Sequence, residues 1–235
     1  MARTSARRIT VLGTLLSAAA GSADAIGYLG FAGVFLSFMS GNIVILAAHF
    51  AAGHEASFAR LLSVPVFITA LAAGKAVAIG LSAMGKDSLR PLLALELALL
   101  IGCLALGVAG GAASPRALVA AMLGVAAMAV QSVLTRLSAL GGASTTVMTT
   151  NITKLVLDVS EALLGRRGDT AVRAQRSAVT GLAEMTGFIA GCALGAVAET
   201  VFGVRAMALP AGLVLGALVL APVTLTVQTN APGSA

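Results

Sequence analysis

Charge is what this sequence most lacks. Only 10% of its residues are Asp, Glu, Lys or Arg, against about 25% in a soluble domain, which excludes a solvated globular surface. The two cysteines, Cys103 and Cys192, both sit inside apolar runs. They exclude a disulfide framework or a cysteine metal site and read as small core residues. The two histidines, His49 and His54, lack metal-ligand spacing. Tryptophan is absent and Tyr28 is the only tyrosine, so the usual aromatic belts of a membrane protein are missing. No glycine-rich phosphate loop and no nucleophile–base constellation is present, so nothing points to an enzyme or a cofactor.

What is there is hydrocarbon. The 235 residues are 58% hydrophobic with a mean hydropathy of +1.00, and a bilayer core of roughly 30 Å needs apolar runs of about 20 residues. Six runs qualify: Ile9–Gly30, Arg60–Met84, Pro91–Gly111, Ala117–Leu140, Ala178–Ala198 and Ala206–Val227. Two more, Phe31–Ala51 and Thr145–Leu164, are long enough but polar in the middle. The fold class is all-α: a polytopic helical membrane protein with six firm spans and two polar segments, either crossing or re-entrant.

The net charge of +6 does not indicate nucleic acid, because the cations flank apolar runs instead of forming one basic face. They read as topology signals. Arg3, Arg7 and Arg8 precede the first span, and Arg166, Arg167, Arg173 and Arg176 lie in a stretch read as a loop, 165–177. Both places are expected on the cytoplasmic side, with a flexible tail at 229–235. The basic start, apolar run and Ala-x-Ala ending at Ala25 also match a cleaved leader. Against that, Asp24 has a counterpart later in the chain.

The chain reads as two halves, 9–112 and 117–228, within one membrane domain. "FMSGNIVIL" (38–46) returns as "VMTTNITKL" (147–155), which places Asn42 and Asn151 109 positions apart. A small-residue stripe at Ala70, Gly74 and Ala78 returns at Gly187, Gly191 and Gly195. Spacing of four puts each stripe on one helical face, where two backbones can approach closely. Asp24 precedes the first knot as Gln131 precedes the second. If both polar segments cross, the chain has eight spans and parallel halves; if both are re-entrant, it has six spans and inverted halves. Leaving aside Lys75, Arg136 and Lys154, either topology puts nine cations inside and three outside, so charge does not choose.

"SADAIGYLGFAGVFLSFMSGNIVILA" resembles the signature of the YoaK family of bacterial membrane proteins. The residues carrying the resemblance are Gly21, Asp24, Ala25, Ser40, Gly41 and Asn42, then Gln131, Thr149, Thr150 and Asn151. Ser40 stands where the family pattern usually has Thr, and Thr150 where Gly is common. The resemblance covers nearly the whole chain and implies a multi-pass protein of the bacterial inner membrane, with no chemistry attached.

A carboxylate at membrane depth costs about 2.5–3.5 kcal/mol on insertion scales, so such groups are paired, neutralised or near an end. Asp24 is expected to face Lys75, to bind a proton or cation, or to meet water at the outer end of its helix. Glu96 and Glu184 each read either as a proton carrier or as an acid seeking the membrane interface, and Arg136 as an interface anchor. Lys154 and Asp158 are spaced to pair along one helical face. The expected site for a small solute or ion comprises Asp24, Ser40, Gly41, Asn42, Gln131, Thr149, Thr150 and Asn151. The competing expectation is a scaffold whose polar groups only join helices. Membrane lipid is the one certain partner; substrate and oligomeric state are not legible.

Overall fold

A computed structural model describes residues 2–54, 57–110, 114–137 and 169–221, with Thr153, Val156, Leu157, Val159 and Ser160. The helices are α1 (Ala2–Gly30), α2 (Met39–Ala51), α3 (Phe58–Ala83), α4 (Leu89–Ala109), α5 (Pro115–Leu137), α6 (Asp169–Phe202) and α7 (Ala208–Leu220), with a 3-10 turn (Gly203–Met207) joining the last two. There is no strand among the described residues. Among the described residues, five stretches are long and apolar enough to cross a membrane: Arg8–Gly30, Phe58–Ala83, Leu89–Ala109, Pro115–Arg136 and Ser177–Leu220. The protein is therefore a polytopic helical membrane protein. Within the stretch read as a loop at 165–177, the residues from Asp169 onward are helical.

The first polar segment does not cross as one helix. After Gly30 the chain makes a tight turn in which Ala32 (φ 52°) and Gly33 (φ 75°) both take left-handed backbone. It then doubles back along α1: Val34 and Leu36 lie against Gly27, and Ser37 reaches Asp24. Only there, at Met39, does α2 begin, and its 13 residues give a helix of about 20 Å. Asn42 of α2 meets Ser63 of α3, and His49 meets Arg60. Thus α2 heads back toward the end of α1 from which the chain descended.

Contacts fix the direction of each long helix. Calling the start of α1 the near end, α6 runs parallel to α1, because Thr14, Ala18 and Ser22 face Gly187, Gly191 and Gly195 in turn. α5 is antiparallel to α1: Gln131 bonds Leu16, whereas Leu36, beside Gly27, packs on Gly124. α3 starts at the far end, where Arg60 bonds Gly33, and descends until Gly74 faces Val130 and Val133. α4 rises to the far end, where Gly107 meets Phe31 and Val204, and α7 descends beside it to Ala221, which accepts hydrogen bonds from Arg90. The order is up, down, up, down, up, down for α1, α3, α4, α5, α6 and α7.

The α1–α6 seam is the tightest. A Cβ on Gly187 would lie 2.7 Å from the Thr14 carbonyl oxygen, and one on Gly195 2.8 Å from that of Ser22. The glycine stripe read from the sequence is a backbone-to-backbone contact. The matching stripe on α3 is looser, since a Cβ on Gly74 would meet the side chains of Val133 and Val130 at 3.3 and 3.7 Å and come no closer to backbone than 3.9 Å, at Val130 Cα.

Candidate functional site

The descending segment 31–38 is irregular backbone inside a helical bundle, and its polar groups need partners. Two side chains supply most of them. The carboxylate of Asp24 accepts hydrogen bonds from the Ser37 backbone N–H (2.6 Å), the Ser37 hydroxyl (2.5 Å) and the Phe38 N–H (3.3 Å). The side chain is 5% exposed. These N–H groups lie at the N-terminus of α2, where the helix dipole favours a negative charge. Asp24 thus holds the tip of the re-entrant segment.

Asn42 closes the same segment from the other side. Its carbonyl oxygen accepts from the Phe35 N–H (2.9 Å), and its amide donates to the Phe35 carbonyl (2.8 Å) and to Ser63 Oγ (3.1 Å). Ser63 in turn donates to the Arg60 carbonyl at 2.7 Å. A primary amide matches a backbone N–H and C=O pair in this way because it presents one donor edge and one acceptor edge. Arg60, 7% exposed, donates through Nε to the Gly33 carbonyl at 3.0 Å and through Nη2 to that of Ala32 at 3.4 Å. It ties down the two left-handed positions of the turn. Around the tip, Phe35 stacks on Tyr28 at 4.9 Å and meets Phe38 edge-on at 5.6 Å.

The structure therefore brings Asp24, Gly41 and Asn42 together, and leaves Ser40 exposed on α2. The hydroxyl that serves Asp24 is that of Ser37. Gln131, 1% exposed, lies deeper and donates to the Leu16 carbonyl at 2.9 Å. Leu16 and Asp24 are eight residues apart on α1, about 12 Å along the axis. Thr149, Thr150 and Asn151, with Thr145, Thr146, Lys154 and Asp158, lie outside the described residues.

Two expectations are corrected. Lys75 does not meet Asp24: it is exposed on α3, and the hydrogen bonds of Asp24 come from Ser37 and Phe38. The reason is helical phase. Gly74 faces α5, and the next residue points about 100° away. The second correction concerns the interface reading of the two acids. Glu96 is fully buried, at 0% exposure, and Glu184, at 3%, lies against Gly13 in the α1–α6 seam. Sequence reasoning also missed Ser37, Ser63 and Arg60. The first two are common residues in a plain apolar context, and Arg60 was counted as a flanking cation.

A family model described as "Protein of unknown function (DUF1275)" matches residues 12–220, in keeping with the YoaK resemblance carried by Asp24, Asn42 and Gln131. No curated protein and no solved structure matches the chain.

Proposed function

We propose that this chain, which belongs to the DUF1275 family, is a transporter or channel for a small solute or ion in the bacterial inner membrane. Its site would form where the two Asn-containing segments approach the middle of the bundle. One observation carries the reading: the re-entrant segment 31–51, whose helix α2 starts at the depth of Asp24. Irregular backbone at membrane depth is tolerated where protein or a water-filled cavity encloses it, and interrupted helices in corresponding halves mark the central sites of many transporters. The alternating helix directions support six crossings and inverted halves, with α1, α3 and α4 opposed to α5, α6 and α7. The α3–α5 contact through Gly74 then has its counterpart in the α6–α1 contact through Gly191. Asp24 and Asn42 shape the first tip, Gln131 lines the deeper layer, and Ser40, Gly41, Thr149, Thr150 and Asn151 complete the site.

Purified protein in liposomes tests this against a panel of labelled ions, amino acids and sugars. Protein-dependent flux of at least one solute, lowered by Gln131→Leu, is the expected result. No flux across the panel sinks the proposal. A scaffold is the second reading, favoured by the internal bonds that occupy Asp24 and Asn42. It expects the Gln131→Leu protein to lose thermal stability, with no solute shifting the melting of either form.

Topology has its own test. Six crossings put His54 and Arg205 outside and Lys86 inside; all three are exposed. With Cys103 and Cys192 replaced, His54→Cys and Arg205→Cys react with a membrane-impermeant maleimide on intact cells, and Lys86→Cys reacts only after lysis. Labelling of Lys86→Cys from outside restores eight crossings.

A further inference from the structure

Glu96 is the one fully buried acid that the described contacts leave without any hydrogen bond. It lies in the buried row of α4, between Leu92 and Leu93 on one side and Leu100 and Cys103 on the other. Its exposure is 0%, and neither carboxyl oxygen has a hydrogen-bond partner. Among the described residues, the elements packed on α4 offer it no cation. α5 carries Arg116 and Arg136, both exposed near its ends; the 3-10 turn carries Arg205, also exposed; α7 carries no charge. On α4 itself, Arg90 is committed to the Ala221 carbonyl. A bare carboxylate does not persist in such surroundings, because nothing replaces the water it has lost. A carboxylic acid, neutral with its proton, does.

The register of the helices gives this acid a position. Gly102 faces Leu123, and Gly124 faces Cys103. Stepping back along α4 from Cys103 to Glu96, and forward along the antiparallel α5 from Gly124 to Gln131, descends both helices equally and brings Glu96 to the layer of Gln131, whose amide bonds the Leu16 carbonyl. Gly216 of α7 meets Leu15 in that same layer. Glu96 is therefore buried at the depth of the deeper polar residue of the proposed site.

We propose that Glu96 is a proton-binding site and the coupling residue of the transport cycle: it holds a proton while enclosed, as here, and exchanges it when the bundle opens to one side. The coupling role rests on the transport reading; the proton site does not. The tests separate the two. An apolar carbodiimide, dicyclohexylcarbodiimide, adds to protonated carboxyls in apolar surroundings and stays attached, so mass spectrometry locates it. Wild-type protein in detergent is expected to carry the adduct on Glu96, less of it as the pH rises, and Glu96→Gln none at that position. In liposomes containing a pH-sensitive dye, wild-type protein is expected to move protons under an imposed potential. Glu96→Gln falls to the protein-free background, and Glu96→Asp retains part of the flux. Glu96→Gln exchanges a neutral acid for an amide of the same shape, so it is expected to melt close to wild type, and loss of flux with unchanged melting is not loss of fold.

No adduct on Glu96 at any pH, or equal proton flux in wild type and Glu96→Gln, overturns the proposal. A pH-dependent adduct in protein that moves neither protons nor any solute upholds the proton site and overturns the transport reading with its coupling role. Solute flux that persists with no adduct upholds transport and overturns Glu96.

Discussion

Asp24→Ala protein is expected to lose roughly 3–6 kcal/mol, the sum of two charge-assisted hydrogen bonds worth about 1.5–3 kcal/mol each. The two are the short ones from Ser37, and the bond from Phe38 at 3.3 Å adds little. Alanine leaves two buried donors of Ser37 facing a methyl group at the start of α2, and the chain has no nearby acceptor to offer them. A loss of this size lowers the melting temperature in detergent on the order of 10 °C. Segment 31–38 should also become a site of early proteolysis. Asp24→Asn keeps one acceptor oxygen, and the Ser37 hydroxyl can rotate to accept from the new amide, so its effect is smaller. Wild-type melting of the alanine protein would contradict the role assigned to this carboxylate.

Gly191→Leu is expected to yield no folded protein. A Cβ at Gly191 would collide with the Ala18 carbonyl oxygen and lie 2.8 Å from two further backbone atoms of α1. Backbone cannot turn aside as a long side chain can, so the two helices must separate. Separation opens the whole seam, since Gly187 and Gly195 press equally close on Thr14 and Ser22. Gly191→Ala, the smallest change, should cost about 1–3 kcal/mol, as overpacking generally does. The control is Gly80→Ala. That position has open space around it, and alanine there favours the helix by up to about 1 kcal/mol. If Gly191→Ala and Gly80→Ala melt alike, α1 and α6 are not in the contact described.

Much of this architecture was legible in the residues. The helices α3, α4 and α5 start and end within about three residues of the expected apolar runs, and α1 ends at the expected Gly30 but already begins at Ala2, because hydrocarbon length is a local property that the bilayer reads directly. The stripe at Gly187, Gly191 and Gly195 announced a close helix contact for an equally local reason. Its partner on α1 was not announced, because Thr14, Ala18 and Ser22 look like any small residues in a span. Asp24 and Asn42 stand out as candidates from polarity alone, but the sequence left open whether Asp24 faces Lys75, a proton or cation, or water, and gave no sign of Ser37. The doubling back of 31–38 is invisible until Asp24 and Asn42 are seen to bind it.

Glu96 shows the limit most clearly. α4, "LRPLLALELALLIGCLALGVA", is apolar on every side, and a helix without an apolar stripe carries no sign of which face turns inward. Seen alone, its one interior acid fits a membrane surface as readily as a proton carrier in the core. The sequence by itself determined the solvent of this protein, the length of its apolar runs, and the pairs of motifs that suggest two halves. The tertiary structure alone decided which faces meet, where the chain folds back at membrane depth, and that Glu96 lies buried without a partner. Hydrophobicity sums along the chain, but burial depends on neighbours that the chain brings from more than a hundred residues away.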